Sequence, residues 1–185
     1  MNPAQERIRH FIDEVVLPRA NPLPGVPEEL RGDWSSDDGW YSWKAVASPV
    51  TESELGNLGQ RFGIVLPPLL SAYFLYKQIL DGDFGIVRMP DMWPPNPLCQ
   101  LEDQMKVYLE FESLQRNNLI PFAQEGNDGG PICFKADLPT SQGDYPLYFT
   151  DHERLSDSSY AGEERWGSFE LLLDAIEADM LSYDA

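Results

Sequence analysis

A chain of 185 residues with 31 acidic against 13 basic side chains carries a formal charge of −18. That balance argues against direct contact with DNA or RNA, whose phosphates need a basic footprint, and against anionic membrane surfaces. Hydrophobic residues make up 42% and aromatics 12%, enough for a sizeable core, so global disorder is not expected.

The acidity is uneven. Residues 101–185 hold 18 Asp and Glu against 5 Lys and Arg, while residues 1–100 hold 13 against 8. A basic protein partner is the natural complement; solubility alone is the competing explanation. No run approaches the roughly 18 apolar residues of a membrane span. The start, MNPAQERIRHF, puts charges and a proline where a secretory signal needs apolar residues. A cytoplasmic protein without membrane contact is therefore expected. Cys99 and Cys133 lie far apart and form no metal-like pair. Reduced thiols are the default, with a disulfide as the alternative.

Residues 2–17 read as a helix, with Asn2 as cap and Pro3 in the first turn. Ile8, Phe11, Ile12, Val15 and Val16 mark its buried face. Pro18 supplies a stop. Residues 18–50 hold Pro18, Pro22, Pro24, Pro27 and Pro49 with Trp34, Trp40 and Trp43. They read as an arm wrapped onto the domain, because exposing three tryptophans is costly; a role in partner binding is the alternative. A second helix starts at Thr51, where Thr51 and Glu54 form a capping box and Leu55, Leu58 and Phe62 share a face. Gly56 and Gly59 weaken it and would let another element approach. Gly63 is its C-cap.

A third helix starts at Pro67-Pro68 and ends before Asp81-Gly82. Phe84–Met89 reads as a strand, and the prolines of 90–98 as an irregular loop. A helix follows over about 100–116, broken at Asn117-Asn118. Leu119–Gln124, Pro131–Ala136 and Tyr145–Thr150 are strands, the first two joined through the turn Asn127-Asp128-Gly129-Gly130. A last helix starts near Ser168, which reads as its N-cap and not as a nucleophile. Phe169, Leu172, Leu173, Ile176 and Met180 form its apolar face.

Two blocks carry a family likeness. The first, ESELGNLGQRFGIVLPPLLSAYFLY, runs from a Glu-rich helix through Leu66-Pro67 into the next helix. The second contains the Phe122–Gly130 loop, the runs PICFKAD and PLYFTD, and WGSFELLLDAI. In this order they resemble the SUKH superfamily, whose members include bacterial toxin-immunity proteins and fungal cell-wall regulators. The likeness spans roughly residues 50–181. One departure is Asp81-Gly82-Asp83, where the family often has Asn-Gly-Gly.

The resemblance implies a compact α+β domain with a mixed, largely antiparallel sheet packed by helices. It would occupy residues 50–185, with residues 1–49 as an N-terminal helix and Pro/Trp-rich arm. It also implies a binding protein and not an enzyme: an immunity protein that occludes the active site of a cognate, basic toxin, for which nucleases are a common class. The alternative is a regulatory scaffold of the same fold with a cellular partner.

No catalytic constellation competes. Asp81-Gly82-Asp83-Phe84-Gly85 contains the letters of a kinase metal motif but lacks the phosphate loop and the catalytic loop, so a turn is expected. Asp151, Glu153 and Asp157 do not follow the spacing of a calcium-binding loop. His10 and His152 sit in no triad or zinc spacing. No cofactor or metal is expected. The candidate partner-binding set is Glu125, Asp128, Asp144, Tyr145, Asp151, Glu153, Asp157, Tyr160, Glu163 and Glu164, residues placed in or beside connecting loops where binding groups concentrate. The competing reading is that Tyr145 and Trp166 pack in the core and the carboxylates are merely solvated.

Overall fold

The computed structural model describes residues 2–127 and 129–182. Helix α1, Pro3–His10, opens on a reciprocal cap. The Asn2 side chain accepts from Gln5 N at 2.9 Å, and the Gln5 side chain accepts from Asn2 N at 3.0 Å. The helix widens to π geometry over Phe11–Val16 and tightens to a 3-10 turn over Leu17–Arg19, which contains Pro18. Ile8, Phe11, Ile12, Val15 and Val16 are all buried, as their spacing predicts. Within the π segment, Asp13 accepts from Tyr76 Oη at 2.7 Å and Lys77 Nζ at 2.8 Å.

The Pro/Trp-rich segment is more ordered than a wrapped arm. It forms strands β1 (Leu23–Pro24), β2 (Arg31–Ser35) and β3 (Trp40–Trp43) in an antiparallel sheet of order β1-β3-β2. Aromatic side chains suit a pleated, half-buried surface. Pro24, which cannot donate to a ladder, lies on an edge strand where that loss is tolerated. Trp43 is buried, and its indole N–H donates to the Asn21 carbonyl at 3.1 Å.

Helix α2, Glu52–Phe62, has the expected capping box. Glu54 N donates to Thr51 Oγ1 at 3.3 Å, and Thr51 N donates to Glu54 Oε2 at 2.8 Å. Gly63 terminates it at φ +69°. Its two internal glycines differ. A β-carbon on Gly59 would lie 2.5 Å from the Ile64 carbonyl oxygen, whereas one on Gly56 meets nothing within 4 Å. Gly59→Ala is therefore expected to destabilise by about 1–2 kcal/mol through backbone overlap. Gly56→Ala should stabilise by about 0.5–1 kcal/mol through helix propensity. Urea midpoints for the pair check both signs.

Helix α3, Pro68–Tyr76, stops earlier than its sequence suggests. Lys77 turns extended and bridges Ala47, and Gln78 N donates to the Val46 carbonyl, so the chain beyond Tyr76 pairs with the segment before α2. The expected strand at 84–89 shrinks to β4, Val87–Arg88, because Phe84–Ile86 forms a tight turn with Gly85 at φ +77°. The expected long helix divides into α4 (Cys99–Glu110) and α5 (Glu112–Arg116). Extended Phe111 separates them and packs against a small cluster of Leu114, Leu119, Cys133 and Leu155.

Strands β5 (Leu119–Glu125), β6 (Pro131–Lys135), β7 (Leu147–Phe149) and β8 (Glu163–Trp166) complete a five-stranded sheet of order β4-β5-β6-β7-β8, with every pairing antiparallel. Helix α6, Phe169–Ser182, follows. Ser168 Oγ accepts from Leu171 N at 3.2 Å, as a cap should. Strand β6 is buried on both faces. Ile132 and Phe134 enter the main core, and Cys133 enters the smaller cluster behind the sheet. The main core draws on residues from Ile8 to Ile176. The α+β class stands as expected.

Candidate functional site

The acid-rich connection from β7 to β8 is ordered by its own short-range bonds. Thr150, at the exit of β7, is buried and donates its hydroxyl to the Pro131 carbonyl at 3.0 Å. Asp151 then caps a single 3-10 turn, His152–Arg154, by accepting from Glu153 N at 2.9 Å. Leu155 plugs the cluster behind the sheet, and its carbonyl accepts the Ser113 hydroxyl at 2.6 Å. Asp157 Oδ1 accepts from Ser159 N at 2.9 Å and Ser159 Oγ at 2.6 Å. These bonds hold the Asp157 carboxyl below its usual range, so it stays ionised into acid.

Tyr160 is the keystone of this loop. Its hydroxyl accepts from Asp151 N at 3.2 Å, its carbonyl accepts from Asn117 Nδ2 at 3.1 Å, and the Arg154 guanidinium lies 4.0 Å above its ring. Glu163 and Glu164 follow on β8, opposite Phe149 and Tyr148, with Arg165 over the Phe149 ring at 4.8 Å. From 151 to 164 there are five carboxylates and one guanidinium. Strand β8 ends the sheet, and charged residues at 163–165 blunt an edge that would otherwise invite strand pairing.

The sheet register divides the ten candidate residues between its two ends. Val87 faces Glu125, Gln124 faces Pro131, Ile132 faces Phe149, and Phe149 faces Glu163. Glu125 therefore shares one end with Asp151 and Glu163, three strands from β8. Its carboxylate accepts from Asn127 N at 2.9 Å, which shapes the β5–β6 turn. Asp128 lies outside the described residues. Asp144 and Tyr145 precede β7 at the opposite end, where Leu147 faces both Phe134 and Trp166.

Three members of the set are buried. Asp144 is 9% exposed, Tyr145 6% and Tyr160 7%. Asp144 accepts from Tyr145 N at 2.8 Å and from Phe169 N at 3.0 Å, joining β7 to the start of α6. The Tyr145 ring packs 5.8 Å from Phe134. These side chains build the frame and offer little to a partner. Glu153, Asp157, Glu163 and Glu164 are exposed and Asp151 is half-buried, with Glu163 and Glu164 on opposite faces of the edge strand.

No family model and no curated protein matches this chain. Function is therefore read from geometry and charge.

Two features went unread in the sequence. Asp81, Asp83, Asp91, Arg88, Gln100 and Gln104 line a polar cleft of about 270 Å³ beside β4. Burial pushes the Asp81 and Asp91 carboxyls up. Asp91 accepts from Gly82 N at 2.7 Å and Gln100 Nε2 at 3.1 Å, so it braces the turn before β4. The other is an apolar groove of about 610 Å³ between α2 and α3, lined by Leu55, Gly59, Ile64, Val65 and Leu75. Neither contains a nucleophile beside a base. Among the described residues no group of three or more His, Cys, Asp or Glu is placed to hold a metal, and no helix is long and apolar enough to cross a membrane. Cys99 is exposed and Cys133 buried, and both are free thiols. Burial pushes the Cys133 thiol up to about 12, which leaves it unreactive at neutral pH.

Proposed function

We propose that this chain is a cytoplasmic, immunity-type binding protein that neutralises a basic toxin domain, with a nuclease as one candidate class, by covering its active cleft. The observation that carries the reading is the run of five carboxylates, Asp151, Glu153, Asp157, Glu163 and Glu164, along an internally bonded connection and the edge strand it leads into. The likeness to the SUKH superfamily and the charge of −18 support the same reading. Pre-ordered acids steer a basic partner into place and set the encounter rate more than the final affinity.

The test takes as partner the protein encoded by the gene neighbouring this one, where the proposal expects a toxin domain. Neutralising Asp151→Asn, Glu153→Gln and Asp157→Asn together is expected to slow association by roughly ten- to a hundredfold at low salt. The gap should narrow as salt is raised, because screening removes what the variant lacks. Cells expressing the toxin should lose protection in the same order. An unchanged association rate in a variant of unchanged unfolding midpoint would place the interface elsewhere. Capture of a cellular regulator in place of a toxin would assign the chain to the scaffold reading.

A further inference from the structure

The small sheet presents a surface that the acidic connection does not explain. Trp34 is 52% exposed and Trp40 44%. Both line one open depression together with Asn21, Pro22, Ser36 and Asp38. Large aromatic side chains left in water at adjacent strand positions are costly and mark interaction sites. The backbone beneath them is fixed. Trp34 N donates to Ser42 Oγ at 3.1 Å, Ser42 Oγ donates to the Trp34 carbonyl at 3.2 Å, and Trp40 N donates to Ser36 Oγ at 3.1 Å. A β-carbon on Gly32 would meet Ser42 Oγ at 2.3 Å, so a larger residue there would displace the hydroxyl that bonds Trp34. The Ser36 hydroxyl in turn bonds Asp38. The indoles are thus mounted on an ordered hairpin.

Charge decides what fits between them. The segment 33–40, DWSSDDGW, holds Asp33, Asp37 and Asp38 and no Lys or Arg. Asp33, Asp37 and Asp38 are exposed. An indole face attracts a cation, and a carboxylate beside it adds a hydrogen-bonding partner for a guanidinium. The same sheet already makes this contact internally. The Arg31 guanidinium lies 3.9 Å above the ring of Tyr41, the residue after Trp40 and so on the opposite face of β3. Arginine suits such a site better than lysine because its planar, weakly hydrated head stacks on aromatic faces.

We propose that Trp34 and Trp40 form a stacking clamp for arginine side chains of a basic polypeptide, with Asp38 and its neighbours supplying the counter-charge. The clamp is separate from the β7–β8 acids and holds whether or not those acids cover a toxin.

The test measures binding of the full chain to an octa-arginine and an octa-lysine peptide, equal in charge and different in stacking, at one fixed salt concentration. The native protein is expected to prefer octa-arginine. In the double variant Trp34→Ala, Trp40→Ala, octa-arginine affinity should fall about tenfold while octa-lysine affinity changes little, erasing the preference. The pair Trp34→Leu, Trp40→Leu keeps apolar bulk, removes the π face and should show the same loss, which separates stacking from damage to the fold. The Asp151→Asn, Glu153→Gln, Asp157→Asn variant should weaken both peptides alike and keep the arginine preference. Equal binding of the two peptides by the native chain overturns the clamp, and so does a preference that survives both tryptophan pairs. Binding of a neutral oligosaccharide that disappears with the tryptophans also overturns it and assigns the surface to sugar stacking.

Discussion

Replacing Phe122 with alanine is expected to cost about 3–5 kcal/mol of stability. The side chain is fully buried at the centre of β5. Its ring stacks on Phe134 at 4.0 Å and an interplanar angle of 15°, and meets Phe169 of α6 at 5.8 Å. Phe134 in turn meets Tyr145 at 5.8 Å. One ring therefore joins β5, β6 and the last helix, and its removal leaves a cavity walled by rigid aromatics that collapse poorly. A typical domain holds only about 5–15 kcal/mol in total, so the variant should be close to its unfolding threshold at growth temperature. Guanidinium titration checks it: the midpoint falls with an unchanged slope. A loss under about 1 kcal/mol would mean that the neighbouring rings close the gap.

Asp144→Ala is the second large effect, expected at about 2–4 kcal/mol. It strips two buried backbone N–H groups, of Tyr145 and Phe169, of a shared acceptor. The 25-residue separation of Asp144 and Phe169 makes their bond a tie between the entry of β7 and the first turn of α6. A carboxylate at that turn also faces the positive end of the helix dipole. Asp144→Asn keeps one acceptor and should lose less. The pH dependence has a definite sign. Burial pushes the Asp144 carboxyl above its usual 3.8, against the pull of its backbone hydrogen bonds. The folded chain then binds this proton more tightly than the unfolded chain does. The residue's contribution is full below 3.8 and declines as pH rises through the raised folded value. The stability gap between native protein and Asp144→Ala should thus be widest in acid and narrow above it. A gap that widens with pH would show that the hydrogen bonds outweigh burial.

What could be read from the sequence follows physical range. The Thr51–Glu54 box, the Gly63 cap and the Ser168 cap all declare themselves within four residues. So do the apolar faces of α1 and α6, which repeat at helical spacing over a dozen positions. The missed elements depend on distant partners. Strand β8 reads Glu-Glu-Arg-Trp, without an apolar alternation, because it is an edge strand held to β7 by backbone bonds. The small sheet was hidden by its prolines, which look like breakers until Pro24 is seen on an edge. Asp144 looks like one more solvated acid in a Gly-Asp-Tyr loop. Only the position of Phe169 N, far along the chain, shows it to be structural. Tyr160 is similar: an aromatic in an acidic loop reads as a contact residue, yet its hydroxyl and carbonyl hold the loop together.

The order β4-β5-β6-β7-β8 is also the order of synthesis. In such a meander each strand is tied to its chain neighbours, and the last is tied on one side only. Residues 150–162 join β7 to that last strand through one 3-10 turn, His152–Arg154. Lengthening a surface connection costs little, about 0.6 kcal/mol for each doubling of a flexible loop. Such lengthening is tolerated only between the anchors of the connection, because Thr150, Leu155 and Tyr160 are buried and bonded to Pro131, Ser113 and Asn117. The acids of this connection therefore sit on the part of the sheet whose length the aromatic stack of Phe122, Phe134 and Phe169 does not fix.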